Sequence, residues 1–175
     1  MKASIDETVA SLVARGERPD AAGPALRKAV QAMGHEVAAA EVVPDDRAAI
    51  TARIRALSEV ADLVLTTGGT GVAPRDVTPE ATRDAVLREI PGLPEEIRRR
   101  SAERDPRGLL SRATAGIRGG ALLLNLPGSP RGAVESFEAV ADALPHALEV
   151  LRGGKRHPPR AAARAGRRSA DRSSR

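Results

Sequence analysis

The sequence predicts an α/β domain, a three-layer sandwich in which a mostly parallel sheet lies between helices on both faces. Three observations predict it. Segments with strand patterning alternate along the chain with segments whose apolar residues recur at helical spacing. Leu63, Val64 and Leu65 form a short apolar run rich in branched residues, which suits a strand covered on both sides. A glycine turn and a helix start follow that run directly, the order found where a parallel strand hands over to its crossover.

After the first twenty-odd residues the elements follow in sequence. Pro24 to Met33 places Ala25, Leu26, Ala29, Val30 and Met33 on one helical face, and Gly34 provides the stop. Glu36 to Val43 reads as a strand and Pro44-Asp45-Asp46 as a loop. Ala49 to Val60 reads as a helix presenting Ile50, Ile54 and Leu57, and Asp62 to Thr66 as the next strand, which completes a βαβ unit. Thr78 before Pro79 has the form of an N-cap with proline in the first turn, predicting a helix from Pro79 to Glu89. Pro91-Gly92 breaks it from a helix at Pro94 to about Arg104. Ala113 to Arg118 and Ala121 to Leu126 read as strands joined by a tight Gly119-Gly120 turn, and a last helix runs from about Arg131 to Leu151.

At 175 residues, 41% of them hydrophobic, the chain suits one domain with a substantial core. With one Phe and no Trp or Tyr that core is aliphatic, and no platform for stacking bases exists. The absence of cysteine excludes disulfides and thiolate metal sites. No apolar run approaches the roughly 20 residues that span a bilayer, and no secretory signal pattern opens the chain, so a cytoplasmic protein is expected. His35, His146 and His157 have no ligand spacing, and no serine sits in a Gly-x-Ser-x-Gly elbow. From Gly153 onward, Lys155, Arg156, Arg160, Arg164, Arg167, Arg168, Arg172 and Arg175 face Asp171 alone, a balance of +7 that leaves −2 of the formal +5 for the remainder. Residues 153–175 are therefore expected to be a disordered basic tail. It is either a solubilising extension or a weak electrostatic contact for RNA, DNA or an acidic partner.

Ligands of open α/β sheets bind beyond the carboxyl ends of the strands, where three clusters fall. They are Pro44-Asp45-Asp46, the stretch Thr66 to Asp76, and Asn125-Leu126-Pro127-Gly128-Ser129-Pro130. In the second, Gly68, Gly69 and Gly71 interleave with Thr66, Thr67 and Thr70, so the backbone is free to take positive φ and turn its N–H groups toward an anion. Arg75 and Asp76 are left exposed between turn and helix. Asp45 or Asp46 beside Asp76 would be carboxylates next to a phosphate, as in Mg²⁺ sites; on pattern alone each aspartate reads first as a loop or helix cap.

The string TTGGTG followed by RDVTPEAT resembles the signature of the molybdopterin-binding family that includes molybdopterin adenylyltransferase and its relatives in molybdenum cofactor biosynthesis. The likeness extends through DAAGPAL, VVPDD, IPGLPEEIR, LLSRATAGIRGGALLLNLPGSP and the helix containing Glu135, and covers about residues 8 to 152. It implies a domain over residues 1–152, Mg²⁺ as cofactor, ATP and molybdopterin as substrates, and a homotrimer. By the same resemblance Asp45 and Asp76 are catalytic and metal-holding. Thr67, Gly68, Gly69, Thr70 and Gly71 form the turn that holds the pterin phosphate region. Asn125, Pro127, Gly128 and Ser129 provide a second wall, with Ser111 at a further motif position.

Residues 1–15 depart from the family pattern. The register holds as Thr8-Val9-Ala10-Ser11-Leu12, with serine and leucine where the family has aspartate and serine, and Ala22 stands where serine is usual. Ser4-Ile5-Asp6-Glu7 has capping-box form with Val9, Leu12 and Val13 at helical spacing, so strand and helix are both open here. The functional expectation is Mg-ATP-dependent adenylylation of molybdopterin. The alternatives are a catalytically impaired molybdopterin-binding protein and a trimeric interaction module of the same fold.

Overall fold

The structure is a computed structural model that describes residues 8–15 and 20–153. A six-stranded sheet forms its centre, in the order β2-β1-β3-β6-β5-β4, with strands β1 Thr8–Arg15, β2 Glu36–Pro44, β3 Leu63–Thr67, β4 Arg88–Glu89, β5 Ala115–Arg118 and β6 Ala121–Leu126. The first four in that order are joined in parallel and β5 is antiparallel to both of its neighbours. Helices α1 Ala22–Ala32, α4 Gly92–Arg104, α5 Pro130–Val140 and α6 Leu144–Leu151 cover one face. Helices α2 Arg47–Leu57 and α3 Thr78–Ala85 cover the other. Among the described residues no helix is long and apolar enough to cross a membrane.

Alternation along the central strands builds the two cores. Leu63, Leu65, Leu122 and Leu124 turn toward Leu26, Val30, Phe137, Leu144 and Leu148, while Val64 and Leu123 turn toward Ile50, Ile54 and Leu57. Every residue of β3 and β6 is buried, as the uninterrupted apolar run at Leu63 predicts. Phe137, the one aromatic residue, is fully buried in the first cluster.

The ambiguity at the N-terminus is resolved by pairing. Thr8–Arg15 is a parallel strand lying between β2 and β3, with Ser11 level with Ala40 on one side and Leu65 on the other. Hydrogen bonding to two strands outweighs the helical spacing of Val9, Leu12 and Val13. The capping-box residues Ser4 to Glu7 lie outside the described residues, as does the basic segment 154–175.

Two helices depart from expectation for identifiable reasons. The helix at Pro79 was expected to reach Glu89, but it ends at Ala85, where Val86 turns extended. The following residues pair with β5: Leu87 donates to the Ile117 carbonyl and Ile90 to that of Ala115. That approach requires Gly116, because a Cβ there would stand 2.6 Å from Val86 Cγ1 and 2.7 Å from the Arg88 carbonyl. The last helix divides at a 3₁₀ turn, Ala141–Ala143. Pro145 lacks an N–H and its ring would meet the Ala141 carbonyl one turn back, so the helix restarts at Leu144. Thr78 is not the cap of α3 either. It lies inside the helix behind Val77, with its hydroxyl buried.

A single buried amide ties these layers together where the parallel strands end. Asn125, fully buried, donates from Nδ2 to Thr66 Oγ1 on β3 and to Thr82 Oγ1 on α3, each at 2.8 Å, and Oδ1 accepts from the Thr114 N–H at 3.1 Å. Leucine has the same branched heavy-atom outline but would leave that N–H and two hydroxyls without partners. Asn125→Leu is expected to lower unfolding stability by about 2–4 kcal/mol, measured by urea titration.

Candidate functional site

The carboxyl ends of β2, β3 and β6 open onto one edge of the sheet, and the three loops expected to converge there leave from them. Thr67 pairs with Leu126 in the last rung of β3 and β6, and Pro44 ends β2 beside Arg15. Beyond Thr67 the chain turns through Gly68 (φ +87°) and Gly69 (φ +62°), both in the left-handed region. A Cβ at Gly69 would stand 2.3 Å from Thr78 Oγ1, so the turn rests directly on the start of α3.

Gly71 is glycine for a different reason from the one expected. Its φ is not positive; instead a Cβ would lie 2.8 Å from Asp76 Oδ2, so the residue is bare where the Asp76 carboxylate folds back. That carboxylate accepts from the Ala73 N–H at 2.9 Å while the Asp76 N–H donates to the Ala73 carbonyl at the same distance. Asp76 is half-buried rather than exposed, and Arg75 stands exposed beside it.

The N–H of Gly68 is spent on the Leu126 carbonyl, but those of Gly69, Thr70 and Gly71 have no acceptor among the described residues. They are the donors left to a ligand. The second loop touches the first, since a Cβ at Gly128 would come 3.1 Å from the Gly68 Cα. Ser129 caps α5 by accepting from the Gly132 N–H at 3.2 Å, and Pro127 packs behind Gly132. Asn125 does not line the site. Its side chain is enclosed and committed to Thr66, Thr82 and Thr114, so it serves the scaffold and corrects the expectation of a contact residue. Thr67 is likewise fully buried, its hydroxyl unpartnered among the described residues.

Of the two neighbouring aspartates, one is a cap and one is not. Asp46 is the N-cap of α2, accepting from the Ala49 N–H at 2.7 Å. Asp45 accepts no hydrogen bond among the described residues. Partial burial pushes its carboxyl above the usual aspartate range, Arg75 pulls it down, and the negative charge of Asp76 pushes it up again. Asp45 and Asp76 therefore share one electrostatic environment although 31 positions separate them in sequence.

Among the described residues no group of three or more histidine, aspartate or glutamate side chains converges. Two carboxylates that repel one another beside open N–H groups fit Mg²⁺, which takes one or two carboxylates and completes its shell with water and substrate phosphates. They do not make a closed protein cage.

Ser111 lies one residue from a contact that sequence reading missed. Arg112 donates from its backbone to the Thr70 carbonyl at 2.9 Å and from its guanidinium to the carbonyls of Gly71 and Asp76 and to the Glu80 carboxylate. Burial works against the Glu80 carboxylate, yet bonds from its own N–H and from Arg112 hold it below the ordinary glutamate range. The Ser111 hydroxyl accepts a long bond, 3.4 Å, from the Ala113 N–H, and its carbonyl accepts one of the same length from Arg98. A depression of about 370 Å³ is lined here by Val72, Ala73, Pro74, Asp76, Val77, Glu80 and Arg112. A lone arginine after a serine has no spacing that would have marked it.

Comparison with known proteins agrees with this geometry. Residues 4–146 match a family described as "Probable molybdopterin binding domain". Molybdopterin adenylyltransferase of Escherichia coli K12 is 41% identical over 129 residues, and that of Helicobacter pylori J99 is 42% identical over 115. The chain spans 65% of the length of each of these relatives, and the matches cover 64% and 65% of this chain. Molybdenum cofactor synthesis protein cinnamon of Drosophila melanogaster is 39% identical over 135 residues, which are 75% of this chain and 22% of that protein. Among solved structures, the molybdopterin biosynthesis enzyme MoaB of Thermus thermophilus superposes with a TM-score of 0.78 at 47% identity, covering 84% of this chain and 97% of that one. The molybdopterin biosynthesis Mog protein of Mycobacterium ulcerans does so with 0.80 at 33%, covering 86% and 99%. With the family match spanning most of the chain and the signature turn built as described, this protein belongs to the molybdopterin-binding domain family of molybdenum cofactor biosynthesis.

Proposed function

We propose that the protein transfers an adenylyl group from ATP to molybdopterin. A phosphate oxygen of molybdopterin attacks the α-phosphorus of ATP, the bond from that phosphorus to the bridging oxygen breaks, and pyrophosphate leaves with the bond electrons. The observation that carries this reading is the Asp76 carboxylate folded against Gly71 in a glycine turn whose Gly69, Thr70 and Gly71 N–H groups have no acceptor among the described residues, with Asp45 of another loop within its electrostatic reach. Relatives named molybdopterin adenylyltransferase support the same substrates.

Little covalent chemistry is required of the side chains. Gly69, Thr70 and Gly71 bind the phosphate end of the pterin through backbone donors, and contact between Gly68 and Gly128 keeps that cradle from widening. Asp45 and Asp76 would hold Mg²⁺, which when bound offsets charge on the triphosphate. The charge of Arg75 offsets part of the cost of ionising Asp45. The strand at Thr8–Arg15, paired in parallel with β2 and β3, keeps the sheet continuous beneath the site and favours the enzyme over an impaired binding protein. The active assembly is proposed to be a homotrimer, which light scattering on the purified protein tests.

Purified protein given molybdopterin and Mg-ATP is expected to release pyrophosphate and adenylyl-molybdopterin. Binding without product would favour the pterin-binding alternative instead. Asp76→Asn should leave molybdopterin affinity within a few-fold and lower adenylylation by at least about 10–100-fold, the scale on which even outer partners of a metal site act; equal turnover by variant and parent would sink the assignment.

Asp45 gives a second test with a definite sign. A carboxyl whose folded pKa is raised favours the protonated native state, so its contribution to stability is present below the unfolded-state pKa and is lost as pH rises through the folded one. At neutral pH the ionised group is a net cost. Asp45→Asn is expected to raise Tm at neutral pH, to lose that advantage in acid, and to turn over poorly throughout; calorimetry across pH together with the adenylylation assay checks all three.

A further inference from the structure

The reaction scheme makes no use of Arg112, although it is the best-connected side chain around the signature loop. Its backbone N–H holds the Thr70 carbonyl, Nε donates to the Gly71 carbonyl at 2.6 Å, and its two terminal nitrogens donate to the Asp76 carbonyl and the Glu80 carboxylate. These acceptors stand at the beginning of the loop, at its end, and in the first turn of α3. A guanidinium is a rigid planar fork, so it fixes three acceptors relative to one another in a way that an ammonium on a flexible stem does not. The segment that carries it is held in turn by Arg98, which donates to the Ala113 carbonyl at 3.0 Å.

Val72, Ala73, Pro74 and Arg75 are exposed, and the bonds exchanged between Ala73 and Asp76 are internal to the loop. Besides the bond from the Thr78 N–H to the Gly69 carbonyl at its base, three bonds from Arg112 reach the loop, from its backbone to Thr70 and from its guanidinium to Gly71 and Asp76. One oxygen of the Asp76 carboxylate is spent on Ala73, so the direction of the other is set by where the Asp76 backbone is anchored.

We infer that Arg112 is a positioning residue for Asp76: by gathering the Gly71 and Asp76 carbonyls onto the Glu80 carboxylate, it fixes the place of the Asp76 carboxylate before substrates bind. The inference rests on the role proposed above for Asp76. It differs from an ordinary structural role in acting on turnover through one residue, not on the stability of the whole.

Arg112→Met and Arg112→Lys in the full-length protein test it by amide hydrogen exchange and by kinetics. Exchange at Ala73 and Asp76 should accelerate by about tenfold or more, while β3 and β6 keep their protection, because the opening is local. In both variants kcat should fall by about 10–100-fold with KM for molybdopterin within about twofold, as expected for a lost outer partner of a site. Adding Arg112→Met to Asp76→Asn should cost nothing further, since both remove the same contribution. Restoration of turnover by lysine would show that charge alone matters and overturn the inference, as would an equal additional loss in the Asp76→Asn background. Full protection and turnover in Arg112→Met beside an impaired Asp76→Asn would overturn this inference alone. Full turnover by Asp76→Asn would overturn the functional reading and this inference with it.

Discussion

The buried amide of Asn125 is the interaction on which the site depends. At the level where β3 and β6 finish, backbone pairing ceases and the chain enters loops that hydrophobic burial alone does not orient. Asn125 joins β3 through Thr66, α3 through Thr82 and the approach to β5 through Thr114 at that height. In a low-dielectric interior such a network is directional where aliphatic packing is not, and its members are costly to separate. The glycine turn and the loop after β6 inherit their relative position from it. Gly68 donates to the carbonyl of Leu126, the next residue, and Gly128 lies against Gly68 one step further out.

Above this rigid floor the rim is built on the opposite principle. Asp45 lies within the repulsive field of Asp76, and the nearby backbone donors have no acceptor among the described residues. Each of these arrangements costs the empty protein something that a phosphate and its counter-cation would relieve. The satisfied Asn125 network below and the open backbone donors above make a stable support for a site whose own groups favour a ligand.

Much of this was legible in sequence because it follows from local rules. The uninterrupted run at Leu63 marked a two-sided strand, the turn after it required glycine at Gly68 and Gly69, and the short loops after β2 and β3 carried Asp45 and Asp76 to the same edge. What escaped reading depends on partners distant in sequence. The early end of α3 is caused by pairing with β5 across Gly116, and the strand at Thr8–Arg15 is decided by neighbours on both sides rather than by its own spacing. Asn125 looked like a loop donor because a motif shows which residue type recurs and not which way it points. Arg112 acts through carbonyls 36 and 41 positions away, and carbonyls leave no mark on a sequence.

The aliphatic core, with Phe137 as its only aromatic ring, has an optical consequence. With neither tryptophan nor tyrosine in the chain, the protein contributes almost nothing to near-ultraviolet absorption or emission. A conjugated pterin or an adenine seated at the glycine turn would be seen against a nearly dark background. The composition that denied the core large rings thus makes the protein a transparent vessel, in which binding is read from the spectrum of the ligand itself without a label.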